Sequence, residues 1–244
     1  MITNFFHTVL YNPIYNLLIF FVDVVPNGDV GIAVILVTLI VKLIISPFSV
    51  SAMKTQRRMK FLEPELKRIK EDHKDDRVLQ AQKTMELYKN NGVKPFASMF
   101  AMFLQLPVII ALYLVFRHEH LLSPNVGLIY HFIALPTHIS PLFLGIFPTT
   151  GHTIVLAILA AISQYVLAYF TIPVPEKTEG ATPGGAEDFT RMLSLQSRFV
   201  MPAIIGFVAY TAGALALYFI TSSVFGIVQE FYIRYQLRHL GKGK

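Results

Sequence analysis

Lys42 is the residue of this chain best placed to do chemistry. It is the single charge inside Val30 to Phe48, VGIAVILVTLIVKLIISPF. As a helix, a run of that length crosses the ~30 Å hydrocarbon core of a bilayer. A charge there costs roughly 2.5–3.5 kcal/mol on insertion scales, so it faces a bundle interior or a watery cavity and marks a functional position. Thr38, Lys42 and Ser46 follow at i, i+4 and i+8. They make one polar helical face, while Leu36, Leu39, Leu43 and Ile44 fill the others. The alternative is snorkelling, in which the four-carbon stem carries the ammonium to the interface beyond Phe48. The first charges there are Lys54 and Arg57, so a helix continuing past Pro47 makes that reach marginal.

The elements that must hold Lys42 follow from composition. The 244 residues are 54% hydrophobic and 15% charged, with mean hydropathy +0.53; a soluble domain carries more charge. There is no cysteine, which excludes a disulfide framework and a thiolate metal site. The net charge of +6 suits nucleic acid or the cytoplasmic loops of a polytopic membrane protein. Its distribution decides for the loops.

Residues 1–29 are apolar but broken by His7, Asn12, Pro13, Asn16 and Asp23. The clean part, Ile14 to Val25, is short for a span and is read as an interfacial helix starting near Pro13, with a short additional span as the alternative. After the first span, 30–48, the segment 49–95 holds twelve Lys/Arg and seven Asp/Glu. It is read as a charged helical hairpin broken at HKDDR, residues 73–77. Its excess of basic residues places it in the cytoplasm and the N-terminus outside. Its exposed charge makes it a candidate recruiting surface. The second span, 96–116, has Ser98 and Gln105 seven residues apart on one face. An outer loop, 117–152, contains His118, His120, His131, His138 and His152, but no carboxylate set completes a metal site. The third span, 153–172, carries Ser163 and Gln164 in its inner half and is stopped by Pro173 and Pro175. A polar cytoplasmic loop fills 173–198. The last apolar stretch, 199–231, is too long for one straight span. Only two crossings leave both its N-terminal flank and the basic tail, 232–244, inside, so it is read as a tight hairpin of two short helices turning near Tyr210 to Gly213. The fold class is therefore an all-α polytopic membrane protein with five spans, N-out and C-in.

In order and spacing, these features resemble the YidC/Oxa/Alb membrane protein insertase family. The resemblance runs from Asn12-Pro13 to the basic tail. It is carried by the first span with its buried basic residue, by FLEPELKRIKEDHKDD, by LYKNNGVKP leading to LQLP and ALY, and by MPAIIGFVAYTAGALALYFITSSVFGIVQ. It is similar to bacterial members without the large extracytoplasmic domain, and a bacterial plasma membrane follows as the expected location. The family's intramembrane basic residue is commonly arginine. Lys42 keeps the charge and loses the planar fork. Phe219 stands where the family often has tryptophan.

The resemblance implies a wet groove enclosed by five helices, open to cytoplasm and lipid and closed outside. Candidate walls are Thr38, Lys42 and Ser46 from the first span, Ser98 and Gln105 from the second, Ser163 and Gln164 from the third, and Tyr218, Ser222 and Gln229 from the last. Any single Ser or Thr among them equally suits an interhelical hydrogen bond. The implied activity is binding rather than bond-making, with nascent membrane proteins and the lipid bilayer as partners and no cofactor. A ribosome and a Sec-type translocon stay open as further partners. A small-molecule or ion transporter is disfavoured because no internal repeat or paired interrupted helices are seen. A hydrolase is disfavoured because no Asp or Glu is counted in the central spans and neither HExxH nor GxSxG occurs. A non-inserting assembly scaffold is the remaining rival.

Overall fold

A computed structural model describes residues 5–93, 106–116, 124–172 and 186–240. The described residues are helical apart from loops and one hairpin of two-residue strands, and the chain divides into two units, 1–42 with 107–231 and 43–106 with 232–244.

In the first unit, α1 (Asn12–Val24) follows a π-helical turn, with Pro13 in its first turn, where a missing N–H costs nothing. It buries Ile14, Tyr15, Asn16, Leu18, Ile19 and Val22. The long helix α2 (Val30–Phe61) begins where Asp29 Oδ1 accepts the Ile32 N–H at 3.1 Å. Next come α5 (Leu106–Phe116), strands β1 (Leu142–Phe143) and β2 (Phe147–Pro148), α6 (Ile154–Thr171), α7 (Ala186–Tyr210) and α8 (Gly213–Leu240). Four of these helices are long and apolar enough to cross a membrane, and α5 is a shorter apolar helix.

Contacts fix the helix directions. Gln164, Leu167 and Phe170 of α6 meet Ser223, Gly226 and Phe231 of α8 in rising order, so these two run parallel. Ala161, Tyr165 and Ile172 meet Gly206, Phe199 and Arg198 of α7 in falling order, so α7 runs the other way. The loop 124–153 gathers the helix ends at one face. Val30 donates to the Ser140 carbonyl (3.2 Å) and Ala214 to the Thr149 carbonyl (2.8 Å), and His152 stacks on Tyr210. Tyr113 and Phe116 of α5 line a recess of about 150 Å³ with Thr149, Thr211 and Leu215. Thus α2, α6 and α8 leave this face while α5 and α7 arrive at it. Two glycines allow the close approach. A Cβ on Gly28, whose φ is 61°, would fall on the His138 carbonyl, and one on Gly213 would fall on that of Pro148.

The second unit holds the rest of α2 with α3 (Glu63–Asp72) and α4 (Arg77–Asn90). Asp76 caps α4 by accepting the Val78 and Leu79 N–H groups, each at 3.0 Å. Neither α3 nor α4 has a buried residue.

As the sequence reading has it, the Lys42 helix continues past Pro47. α2 reaches Phe61 because TQRRMK keeps good helix formers in the chain until Pro64, which starts the next helix. The final hairpin is not made of short helices: α7 and α8 have 25 and 28 residues, each extending beyond the apolar stretch, with Thr211–Ala212 as the turn.

Candidate functional site: a polar layer beside a packed half

Burial changes sharply along the first unit. Near the gathered helix ends, Val30, Ala33, Val34, Val37 and Thr38 of α2 are at most 1% exposed. On α8 every residue from Ala214 to Phe219 is buried, as are Ala111, Leu112 and Val115 of α5. Farther along, fewer side chains are fully buried, Ser223 and Glu230 of α8 among them. Lys42 is half-buried, and Ser163 and Gln164 on α6 and Ser222 and Gln229 on α8 are half-buried as well. At 1.5 Å per residue, Ser163, Gln164, Ser222 and Lys42 all lie about 14–18 Å along their helices from the gathered face. They form a polar layer where the dense packing ends.

The ten sequence candidates therefore separate. Thr38 and Tyr218 belong to the packed half. Thr38 donates to the Val34 carbonyl at 2.7 Å, and the ring of Tyr218 meets Phe219 edge to face. Lys42, Ser163, Gln164, Ser222 and Gln229 lie in the open half, where the Ser163 hydroxyl donates to the Ala160 carbonyl (2.9 Å). Ser46 belongs to the second unit and is half-buried, its carbonyl accepting from Ser49. Ser98 and Gln105 lie outside the described residues.

Sequence reasoning missed three residues. Ser223, not Ser222, makes the cross-helix bond, donating to Gln164 Oε1 at 2.9 Å. Arg198 donates to the Ile172 carbonyl and lies over the Tyr169 ring at 5.0 Å, covering the carbonyl end of α6. Glu230 is buried in α8, so the last span does carry a carboxylate. Its position next to the basic tail hid it. A largely apolar cleft of about 350 Å³ opens between α2 and α8, lined by Ile35, Leu39, Ile220, Thr221, Val224, Phe225 and Val228. It suits hydrocarbon rather than water. Among the described residues no His, Cys, Asp and Glu group could hold a metal ion.

A polytopic helical membrane protein packed tight at one end of its spans and polar beyond it is the class that fold and site define. The family described as 60Kd inner membrane protein matches residues 20–239, and the chain belongs to it; this is the YidC/Oxa/Alb family of the sequence resemblance. One relative, a membrane protein insertase YidC of Clostridium tetani, is 29% identical over 199 residues, covering 82% of this chain and 79% of that protein. Another protein of that name, from Francisella tularensis subsp. novicida, is 42% identical over 86 residues, which is 35% of this chain and 16% of the longer relative.

Proposed function

We propose that this member of an insertase family moves the hydrophilic tail of a nascent membrane protein through the open half of the helical bundle, toward Lys42, and releases the apolar segment sideways into lipid. The observation that carries this reading is the burial gradient: a dense half beside a half-open polar layer with Lys42 at its edge. A hydrophilic tail crossing hydrocarbon loses its water at a cost of several kcal/mol per polar group. A polar path to half depth removes much of that cost, and the packed half is the thin barrier left to cross. The driving energy is the substrate's own apolar transfer, helped on acidic tails by the membrane potential at about 2.3 kcal/mol per charge per 100 mV. The chemistry is binding, and the transporter and scaffold readings are not favoured by the family match.

Photocrosslinkers at Ser163, Ser222 and Gln229 should capture a nascent single-span protein. The exposed Phe207 on α7 is the comparison site. Capture at none of the three polar positions would overturn the groove reading. Probing the same adducts for ribosomal and translocon proteins tests those two proposed partners.

We further propose that the gathered helix ends face outward and the basic tail inward, because the excess of Lys/Arg lies in residues 49–95 and 232–244. The chain has no native cysteine, so a Cys at Lys242 should resist an impermeant thiol reagent added outside intact cells, while one at the exposed Thr137 should react. The opposite pattern reverses the orientation.

A further inference from the structure

The loop that gathers the helix ends finishes in an apolar hairpin that the groove does not use. At its tip Leu144 and Ile146 are 60% and 70% exposed, and Phe132 on the same loop is 72% exposed. Leu144 stands at φ 52°, in the left-handed region that favours glycine and strains a bulky side chain. Packing of the Leu144 side chain does not offset that strain, because the side chain points out of the fold.

The strained turn is nevertheless firmly built. Asp29 Oδ2 accepts the Leu144 N–H at 2.7 Å while its Oδ1 caps α2. Phe143 packs so closely on Gly31 that a Cβ there would have no room. The hairpin is thus riveted to the first turn of a helix whose following residues cross the bilayer. That fixes its depth at the boundary between headgroups and acyl chains. The charge pattern agrees: from His120 to Thr153 the sequence has no Asp, Glu, Lys or Arg.

We infer that Leu144 and Ile146, with Phe132, are an anchor that inserts into the acyl chains of the membrane leaflet on this side and holds the N-terminal end of the Lys42 helix at a fixed depth. Apolar side chains gain by burial at that boundary, and no exposed charge on the loop opposes it.

The full chain carrying a single introduced cysteine at Leu144, Ile146, Phe132 or Thr137 is labelled with an environment-sensitive fluorophore and reconstituted in phosphatidylcholine vesicles. At 144, 146 and 132 the emission should be blue-shifted, quenched by a spin label high on the lipid acyl chain, and quenched by iodide several-fold less than at 137. Ile146 is free of the backbone strain at Leu144, so a fold disturbed by the cysteine at 144 alone leaves the test intact. Iodide quenching at 146 and 132 equal to that at 137 overturns the inference. So does protection from both iodide and the lipid-borne quencher, which would show that protein covers the tip.

Discussion

Lys42→Glu is expected to halt insertion of substrates with acidic outer tails, and Lys42→Ala to slow it about tenfold or more, while Lys42→Arg keeps it. A carboxylate about 4 Å from an ammonium at an effective dielectric near 20 gains about 4 kcal/mol. Desolvation takes back part of that, and each 1.4 kcal/mol retained is about tenfold in rate. Glutamate reverses the sign, so the attraction becomes a repulsion of the incoming tail and leaves a carboxylate at the same depth. Neutral tails never needed the charge and should be affected little by Lys42→Ala. The measurement is protease protection of the outer tail in proteoliposomes, with a substrate series differing only in Asp and Glu content and with matched amounts of each variant. If Lys42→Ala handles acidic and neutral tails alike, the ammonium has no electrostatic role.

What could be read from the sequence follows from how local the cause is. Lys42 was legible because one charge in nineteen otherwise uncharged residues is a strong local contrast. The helices were legible because apolar run length sets a span. The pairing of Ser223 with Gln164 was not, since adjacent serines differ by about 100° around a helix and only the packing of α8 on α6 selects one. Asp29 carried no sequence signal of its own, yet it caps α2 and holds Leu144, 115 positions away. Asn16 read as a break in an apolar run, and Tyr15 as one of that run's residues. Their partners lie more than 100 residues along the chain, and no local pattern announces so distant a contact.

That distance makes Asn16 the most consequential side chain of α1. It is 1% exposed. Its Nδ2 donates to the carbonyls of Asn12 and Leu128, each at 2.8 Å, and its Oδ1 accepts the Tyr130 N–H at 2.7 Å. One position before it, the Tyr15 hydroxyl accepts the Asn125 N–H at 2.7 Å. Together they bind α1 to the loop that gathers the helix ends. Asn16→Leu nearly conserves volume but strands the Leu128 carbonyl and the Tyr130 N–H. At about 1–3 kcal/mol for each unsatisfied group, the loss is roughly 2–6 kcal/mol, a fall in the thermal midpoint on the order of 10 °C. Asn16→Asp should be worse at neutral pH, despite keeping the acceptor for Tyr130. It buries a charge and turns an oxygen toward two carbonyls that had a donor. Lowering the pH returns a proton that can be donated to one of them, so stability of the Asp variant should rise as pH falls, while the Leu variant shows no such recovery. Thermal unfolding in detergent across pH, with proteolysis within residues 124–140 as a local readout, separates the two. An Asp variant as stable as the parent at pH 7 would mean that Asn16 does not hold the loop.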